Sequence, residues 1–294
     1  MSVKITDIIE QHGISDKIEL HNERSFDFFA RATTNVDGSK CIFIADKKYI
    51  KDIDNTVSMI ITDEETSKSI SPGIGLCVCE NPRGLFFELL SLHESNDRSK
   101  KIETEIGKNC IISETAVISP YNVKIGNNVT VGDYVVIHPN TFIGDNTTLQ
   151  GGTIVGEQDF NVYDFHGKIK QAYHGGKVVI GSNTLISSNV LIGQAMYSYG
   201  KTSIGNNCFI GATTCIGHNT EIGEKCEICG NSMLGGYCKI GNNTKLFMSV
   251  TIANATSIGN NVTINMGSVV VRNIPDNKIM FGNPAREMIK PASN

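Results

Sequence analysis

The sequence lacks the features that mark membrane, secreted or nucleic-acid-binding proteins. No apolar run approaches the roughly 20 residues that a membrane-spanning helix needs. The first residues, MSVKITDIIEQHG, carry acidic residues among the apolar ones and have no long apolar core, unlike a secretory signal. The formal net charge of −4 gives no reason to expect nucleic acid or an anionic membrane as a partner. We therefore expect a cytoplasmic protein.

The cysteines show no pattern typical of a metal site. Cys226 and Cys229 form an isolated CxxC, with no second pair and no nearby histidine to complete a zinc site. The nine cysteines are expected to stay reduced in the cytoplasm. Six of them lie on the repeat described next, where they are interpreted as small apolar fillers. We expect no metal.

The sequence does contain an aliphatic residue at every sixth position over long stretches. One frame runs from Ile125 to Val155. A second runs from Ile180 to Val270, where fifteen of sixteen positions are aliphatic and Ser198 is the exception. Neither an amphipathic helix nor an alternating strand has this period, which is the hexapeptide signature of a β-helix. The pattern is typical of the left-handed parallel β-helix, whose triangular coils contain three hexads, or about eighteen residues.

The repeat also predicts the domain organisation of a mainly β protein. Residues 1–100 lack the hexad and are predicted to form a small α/β domain, with a linker at 94–101. The β-helix is predicted over 101–272, with an insertion at 156–178, and residues 273–294 form a tail. Insertions in a solenoid map to loops on one face, which is often the functional face.

One histidine stands at a predicted corner of the β-helix. His218 occupies a slot that holds Asn, Asp or Ser in other coils, so its imidazole should point outwards. Eighteen residues later is Gly236, where a substrate can approach the backbone N–H, and Asn254 and Arg272 continue the line. A neutral imidazole at a cleft is suited to act as a general base, and the line would hold an extended acyl carrier. The alternative is a solvated corner histidine.

The segment around this histidine resembles two families of sugar acyltransferases. Residues 216–241, IGHNTEIGEKCEICGNSMLGGYCKIG, resemble the catalytic stretch of UDP-3-O-acylglucosamine N-acyltransferases. They also resemble acetyl-CoA-dependent N-acetyltransferases of nucleotide-linked amino sugars. In both families the histidine of a (G/A)H(N/D) motif is taken as the general base. The resemblance implies this role for His218, and we expect the Gly236 N–H to stabilise the oxyanion.

The likeness to the first family extends into the N-terminal region. Residues 41–49, CIFIADKKY, are similar to its uridine-binding signature. This implies that Phe43 and Tyr49 sandwich the base, with Asp46 between them, although the family prefers Asn at that position. Without the resemblance, the two aromatics would be interpreted as ordinary core residues.

The insertion at 156–178 is similar to the substrate loop of the same family. Phe160 matches the aromatic residue of that loop and Gly175-Gly176 its closing glycines, which implies that Phe160 contacts the substrate. His174 lies in the same polar loop and is a further candidate for substrate binding. A plain surface role is the alternative for this histidine.

Three departures argue against the lipid A enzyme itself. Gly211 stands where that family has an acidic residue, and Ala255 where it has a second functional histidine. The helical C-terminal extension tied to acyl carrier protein is missing. The ending FGNPAREMIK is instead similar to that of CoA-dependent hexapeptide acetyltransferases, which implies that Arg286 meets the phosphates of CoA. A solvated basic tail is the alternative.

These features predict an N-acyltransferase. It would move an acyl group from acetyl-CoA or another acyl-CoA to the amine of a UDP- or dTDP-linked amino sugar in surface polysaccharide synthesis. The resemblance implies a homotrimer with sites between adjacent β-helices. One alternative is acylation of a lipid A precursor from acyl carrier protein. The other is a non-catalytic solenoid that binds sugar nucleotides.

Overall fold

The computed structural model describes residues 2–14, 16–96 and 101–288. Residues 97–100 of the predicted linker lie outside this description. The chain forms two compact units. The first contains Met1–Lys100, Phe160–Gly175 and Tyr197–Tyr199, and the second Lys101–Asp159, Gly176–Met196 and Gly200–Asn294. Among the described residues, no helix combines the length and apolar character that a membrane span requires.

The first unit has the predicted α/β organisation. Its five-stranded sheet has the order β1-β5-β4-β3-β2 and is parallel except for β1, with strands β1 Ile18–His21, β2 Phe28–Phe29, β3 Lys40–Ile44, β4 Val57–Thr62 and β5 Gly75–Cys79. The helices are α1 Ile5–His12, α2 Glu64–Ser67 and α3 Pro82–Asn96, with a 3₁₀ helix at Lys47–Asp52. Pro82 suits the first turn of α3, and the Asn81 side chain accepts the Gly84 N–H at 2.9 Å as its cap.

The segment inserted into the repeat forms a β-hairpin within this first unit. Its strands are Val162–Phe165 and Lys168–Gln171. Glu88 on α3 accepts hydrogen bonds from the Tyr163 hydroxyl and from Lys170 Nζ, each at 2.8 Å. Burial, together with the bond to Glu88, raises the pKa of Tyr163. These contacts hold the hairpin on α3.

The second unit is the predicted left-handed β-helix, made of three sheets that are parallel except for the last strand of sheet I, Arg286–Glu287. Sheet I contains Ile111–Ile112, Thr130–Val131, Thr148–Leu149, Leu185–Ile186, Phe209–Ile210, Glu227–Ile228, Lys245–Leu246, Thr263–Ile264, Ile279–Phe281 and Arg286–Glu287. Sheet II contains Val117–Ile118, Val136–Ile137, Ile154–Glu157, Leu191–Gly193, Cys215–Ile216, Met233–Leu234, Thr251–Ile252 and Val269–Val270. Sheet III contains Glu105–Ile106, Val123–Ile125, Thr141–Ile143, Lys177–Ile180, Lys201–Ile204, Glu221–Ile222, Lys239–Ile240 and Ser257–Ile258. In these strands the aliphatic residue of the hexad frame points inward. From Ile125 to Val270 these residues form one continuous core.

One coil is longer than the hexad frame indicates. Ile180 pairs with Ile204, twenty-four residues later, so this coil has six residues more than a regular coil of eighteen. The added residues include Ser198, which lies in the Tyr197–Tyr199 segment of the first unit and not in the core. Because the excursion is one hexad long, it leaves the frame in phase. The assignment of Ser198 to a repeat position is therefore wrong.

The solenoid also continues beyond its predicted end at residue 272. Ile274 forms a bridge with Ile258, and Met280 pairs with Ile264. Both steps are sixteen residues, two shorter than a regular coil, so the hexad frame misses them. The predicted tail therefore begins with a shortened coil.

Candidate active site

His218 lies at the corner that follows the sheet II strand Cys215–Ile216. Its Nδ1 is 2.7 Å from Asp159 Oδ2, and its backbone N–H donates to the same oxygen at 2.7 Å. The His218 side chain is 13% exposed and the Asp159 side chain 21%. A carboxylate accepting from Nδ1–H leaves the lone pair on Nε2, the arrangement that a histidine general base needs. The pair therefore supplies a base and the group that orients it.

Asp159 is the residue that the sequence analysis missed. The resembling family has an acidic residue at the position of Gly211, and this chain does not. The acidic partner of His218 is instead Asp159, which directly precedes the inserted segment Phe160–Gly175. The preceding strand, Ile154–Glu157, has a register irregularity that includes Gly156 at φ 83°. Such bulges redirect side chains beside active sites. An acidic residue at the start of the insertion was the available signal.

The neighbouring coil fixes the chain on either side of this turn. The Gln194 N–H donates to Glu157 O at 2.8 Å, and Gln158 Nε2 donates to Gln194 Oε1 at 3.0 Å. Gln194 Nε2 in turn donates to Gly176 O at 2.8 Å. Because Gln194 is buried, these bonds set the path of the backbone that presents Asp159.

Gly236 lies one coil beyond His218, since the Tyr237 N–H donates to His218 O at 2.8 Å. A Cβ at position 236 would lie 2.6–2.9 Å from three atoms of the imidazole. The ring therefore occupies the space that the glycine leaves. At sister corners the N–H groups of Glu224 and Asn242 donate to an asparagine of the next coil. Within the described part of the chain, the Gly236 N–H makes no such bond.

The predicted line of residues continues along this edge of the β-helix. The Ala255 N–H donates to Gly236 O at 2.9 Å, which places Asn254 one coil further on. Asn254 is exposed, and its Oδ1 faces Gly235. Arg272 is exposed at the end of the line. The structure thus brings His218, Gly236 and Asn254 to one edge.

The tail residue proposed to bind CoA lies on the last strand of sheet I. Arg286 is exposed, and its Nη1 donates to Ala285 O at 3.3 Å. Next to it, Glu287 forms an ion pair with Lys278 at 2.8 Å. The guanidinium remains at the surface, where a phosphate can reach it.

Phe43 lies on β3 and packs against aromatic residues of α3. Its ring centroid is 5.0 Å from that of Phe86 and 5.9 Å from that of Phe87. Phe43 is partly buried, so part of its surface remains accessible. The residue therefore contributes to the core of the first unit, as the alternative interpretation expected, whether or not it also contacts a base.

Asp46 and Tyr49 lie at the 3₁₀ helix after β3. Asp46 caps this helix by accepting the Lys48 N–H at 3.0 Å, and it pairs with Lys48 Nζ at 2.7 Å. The hydrogen bond from the Lys48 side chain lowers the pKa of Asp46. Tyr49 is 48% exposed, and Lys48 Nζ lies 4.8 Å from the centre of its ring. Tyr49 is thus the more accessible of the two predicted base-stacking residues.

The two candidates from the insertion differ sharply in exposure. Phe160 is exposed. His174 is completely buried, with Nδ1 3.0 Å from Ala172 O. The alternative of a plain surface role for His174 is therefore wrong, and its burial leaves no surface for the predicted substrate contact in this structure. The polar sequence of the loop gave no sign of this burial.

Comparison with known proteins agrees with this architecture. Residues 122–157 and 201–236 match the family model described as bacterial transferase hexapeptide (six repeats). The chain is 38% identical over 88 residues to the bifunctional protein GlmU of Corynebacterium aurimucosum, covering 27% of this chain and 18% of that protein. It is 32% identical over 108 residues to the acyl-(acyl-carrier-protein)–UDP-N-acetylglucosamine O-acyltransferase of Chlamydia pneumoniae, covering 36% and 35%. The chain thus spans about a fifth to a third of the length of these curated relatives.

Solved structures extend the likeness to most of the β-helix. The UDP-N-acetylglucosamine acyltransferase from Campylobacter jejuni superimposes with a TM-score of 0.56 at 26% identity, over 63% of this chain and 69% of that chain. The UDP-N-acetylglucosamine acyltransferase from Bacteroides fragilis superimposes with a TM-score of 0.56 at 25% identity, over 63% of this chain and 70% of that chain. The second unit is therefore a left-handed β-helix, and two stretches of it match the bacterial transferase hexapeptide model. Its solenoid has the fold of the UDP-N-acetylglucosamine acyltransferases.

Proposed function

We propose that the protein transfers an acyl group from a thioester to the amine of a nucleotide-linked amino sugar. The observation that carries the proposal is the Asp159–His218 pair, with Nδ1 and Oδ2 2.7 Å apart, beside Gly236, whose missing side chain leaves the space that the imidazole occupies. A non-catalytic solenoid has no need for a carboxylate that orients an imidazole at this corner. The Chlamydia pneumoniae and Campylobacter jejuni proteins named above are UDP-N-acetylglucosamine acyltransferases by name, which supports acyl transfer.

His218 acts as the general base in this mechanism. The amine nitrogen attacks the thioester carbonyl carbon, a C–N bond forms, and the amine proton passes to Nε2 of His218. The C–S bond then breaks, and the thiolate leaves and takes the proton from Nε2. Asp159 stabilises the imidazolium between these steps. The thioester is already activated, so no acyl-enzyme is needed.

Gly236 stabilises the tetrahedral intermediate. Its N–H lies one coil from His218, on the same edge, and a hydrogen bond to the oxyanion is worth about 2.7–4 kcal/mol in comparable sites. The absence of a side chain at Gly236 accommodates the imidazole, which lies beside the backbone that would donate this hydrogen bond.

The acyl donor extends from Gly236 along the edge towards the C-terminus. Asn254 and Arg272 lie along that edge, so CoA phosphates extended along it would meet the Arg272 guanidinium, and Arg286 on the last strand of sheet I is a second candidate for phosphate binding. We therefore propose acyl-CoA, most simply acetyl-CoA, as the donor. Acyl carrier protein, named in one relative, is the competing donor.

A matrix of donors and acceptors tests this function. Acetyl-CoA, longer acyl-CoAs and acyl-acyl-carrier-protein would each be incubated with UDP- and dTDP-linked amino sugars and with the matching hydroxy sugars. We expect thiol release with an acyl-CoA and an amino sugar, and an N-acyl product by mass spectrometry. If thiol were released with the hydroxy sugars and not with the amino sugars, the protein would be an O-acyltransferase and the proposed N-acylation would be wrong. No thiol release with any pair would favour the binding module.

The outward face of sheet II supports a homotrimer. Six successive coils present an apolar residue there, namely Val117, Val136, Ile154, Leu191, Cys215 and Met233, and Val117 and Met233 are 61% and 51% exposed. Sheet III instead presents charged residues at Glu105, Lys124, Glu221 and Lys239. An apolar stripe beside the catalytic corner fits contact with a second β-helix, and a ring of three closes that contact.

We predict that Met233→Glu converts the trimer to monomer. The new carboxylate would be desolvated at the centre of the interface, which is costly without a partner charge. Light scattering at micromolar concentration would measure the mass, and circular dichroism would show that the fold persists. Lys239→Glu, on the charged face, is the matched control and should remain trimeric. A trimeric Met233→Glu protein would place the interface elsewhere.

We predict that Tyr49→Ala weakens binding of the nucleotide sugar and leaves CoA affinity unchanged. Loss of one stacked aromatic costs roughly 1–3 kcal/mol per base. Phe43→Ala should have the same effect on binding, with an added loss of stability because Phe43 packs on Phe86. Isothermal titration calorimetry with both ligands provides the measurement, and Tyr121→Ala, on the β-helix, serves as the control. Unchanged nucleotide-sugar affinity in both variants would exclude stacking.

A further inference from the structure

Tyr237 combines an unusual backbone conformation with a contact to His218. Its φ is +61°, in the left-handed region that is unfavourable for a bulky side chain. Asparagine tolerates this region best and occupies the same slot, also with positive φ, at many other coil corners, among them Asn109, Asn128, Asn140, Asn146, Asn183, Asn189, Asn207, Asn219, Asn231, Asn243, Asn261 and Asn277. Tyrosine at this corner is therefore not the choice that the backbone favours.

The ring of Tyr237 meets the imidazole edge to face. The two centroids are 5.2 Å apart and the planes are at 89°. This is a preferred geometry for aromatic pairs. Gly236 allows the contact, because a Cβ there would overlap the imidazole. The imidazole thus lies between a carboxylate at Nδ1 and an aromatic ring from the next coil.

A second contact is needed because the bond to Asp159 restrains only one atom of the ring. The outer torsion of a histidine side chain is broad, so a ring packed against the imidazole adds to the restraint that Asp159 gives at Nδ1. We propose that Tyr237 is a positioning residue that keeps Nε2 of His218 directed at the acceptor amine. This inference rests on the proposed function and assigns the choice of tyrosine to catalysis.

Tyr134 provides a matched control within the same chain. It occupies the equivalent slot of another coil with φ +56° and is 71% exposed. The residues before it are Gly132 and Asp133, so its corner contains no histidine. Asparagine at either position introduces the residue that most sister corners use. Both variants should therefore fold, and they differ in whether the lost ring touches His218.

The test compares kinetics of Tyr237→Asn, Tyr237→Phe and Tyr134→Asn. We expect Tyr237→Asn to lower kcat about tenfold with KM unchanged, since small misplacements of a catalytic group cost rates of this order or more. Tyr237→Phe keeps the ring and should retain at least half of the wild-type kcat. Tyr134→Asn should match wild type. In a His218→Asn background, Tyr237→Asn should cause no further loss, because the ring acts through the imidazole.

A spectroscopic arm does not depend on activity. The ring protons of His218, assigned by their absence in His218→Asn, should show a ring-current shift in wild type that disappears in Tyr237→Asn and persists in Tyr237→Phe. A rise in KM with unchanged kcat would overturn the inference in favour of direct substrate contact. So would an equal loss in the His218→Asn background, or His218 resonances unaffected by Tyr237→Asn. Failure of the proposed function would appear separately, as normal turnover by His218→Asn.

Discussion

Replacing His218 with asparagine lowers kcat by about 10²–10⁴-fold, the usual span for loss of a general base. The fold should persist, because asparagine already occupies the same slot at positions 127, 206 and 242 of sister coils. Substrate affinity should change little, since Nε2 acts on the proton during attack. Steady-state kinetics with thiol detection, together with light scattering to confirm the oligomer, would measure the effect.

The control for this variant is an exposed histidine of the first unit. His21 is paired loosely with Glu19, at 3.7 Å, and has no role in the proposed chemistry. His21→Asn should therefore keep wild-type turnover. Near-wild-type turnover by folded His218→Asn would place the base elsewhere or show that the amine needs none.

Replacing Asp159 with asparagine should lower kcat on the order of 10²-fold, because a neutral amide no longer holds the imidazole in the productive tautomer or stabilises the imidazolium. The substitution is nearly isosteric, and the amide oxygen can still accept the His218 N–H. The corner should therefore remain folded. The measurement is kcat and KM for the variant beside His218→Asn and the double variant. The double variant should be no slower than His218→Asn alone.

Asp145 offers a matched carboxylate for comparison. Its Oδ1 accepts the Asn127 N–H at 2.6 Å at another corner of the β-helix, with no catalytic histidine beside it. Asp145→Asn should keep full activity, since asparagine makes the same bond at other corners. If Asp159→Asn turned over at the wild-type rate, orientation of His218 would depend on a group other than this carboxylate.

The solenoid was predictable because its repeat is local. Each hexad contributes one strand and one corner, so the spacing of isoleucines from Ile125 to Val270 contains the coil geometry without any long-range information. The two errors, at Ser198 and at the predicted end of the β-helix, arose where a coil is longer or shorter than eighteen residues. The six-residue excursion around Ser198 is invisible to a frame of six, and the shortened coil ending at Met280 falls out of phase with it.

The edge that presents His218 was predictable for the same reason. With coils of eighteen residues, sequence spacing equals spatial spacing, so Gly236 and Asn254 could be placed beside His218. The burial of His174 could not be predicted in this way, because the insertion forms a hairpin outside the repeat. The packing of Phe43 against Phe86 likewise depends on how α3 lies on the sheet of the first unit.

The sequence by itself determined the β-helix, the corner that presents His218 and the glycine one coil away, since all three follow from a short-range period. The tertiary structure alone decided which groups orient the histidine. Asp159 lies 59 residues earlier and reaches His218 through a bulge whose direction no repeat specifies. Tyr237 occupies a slot where the backbone favours asparagine, so its contact with the imidazole appears only once neighbouring coils are stacked.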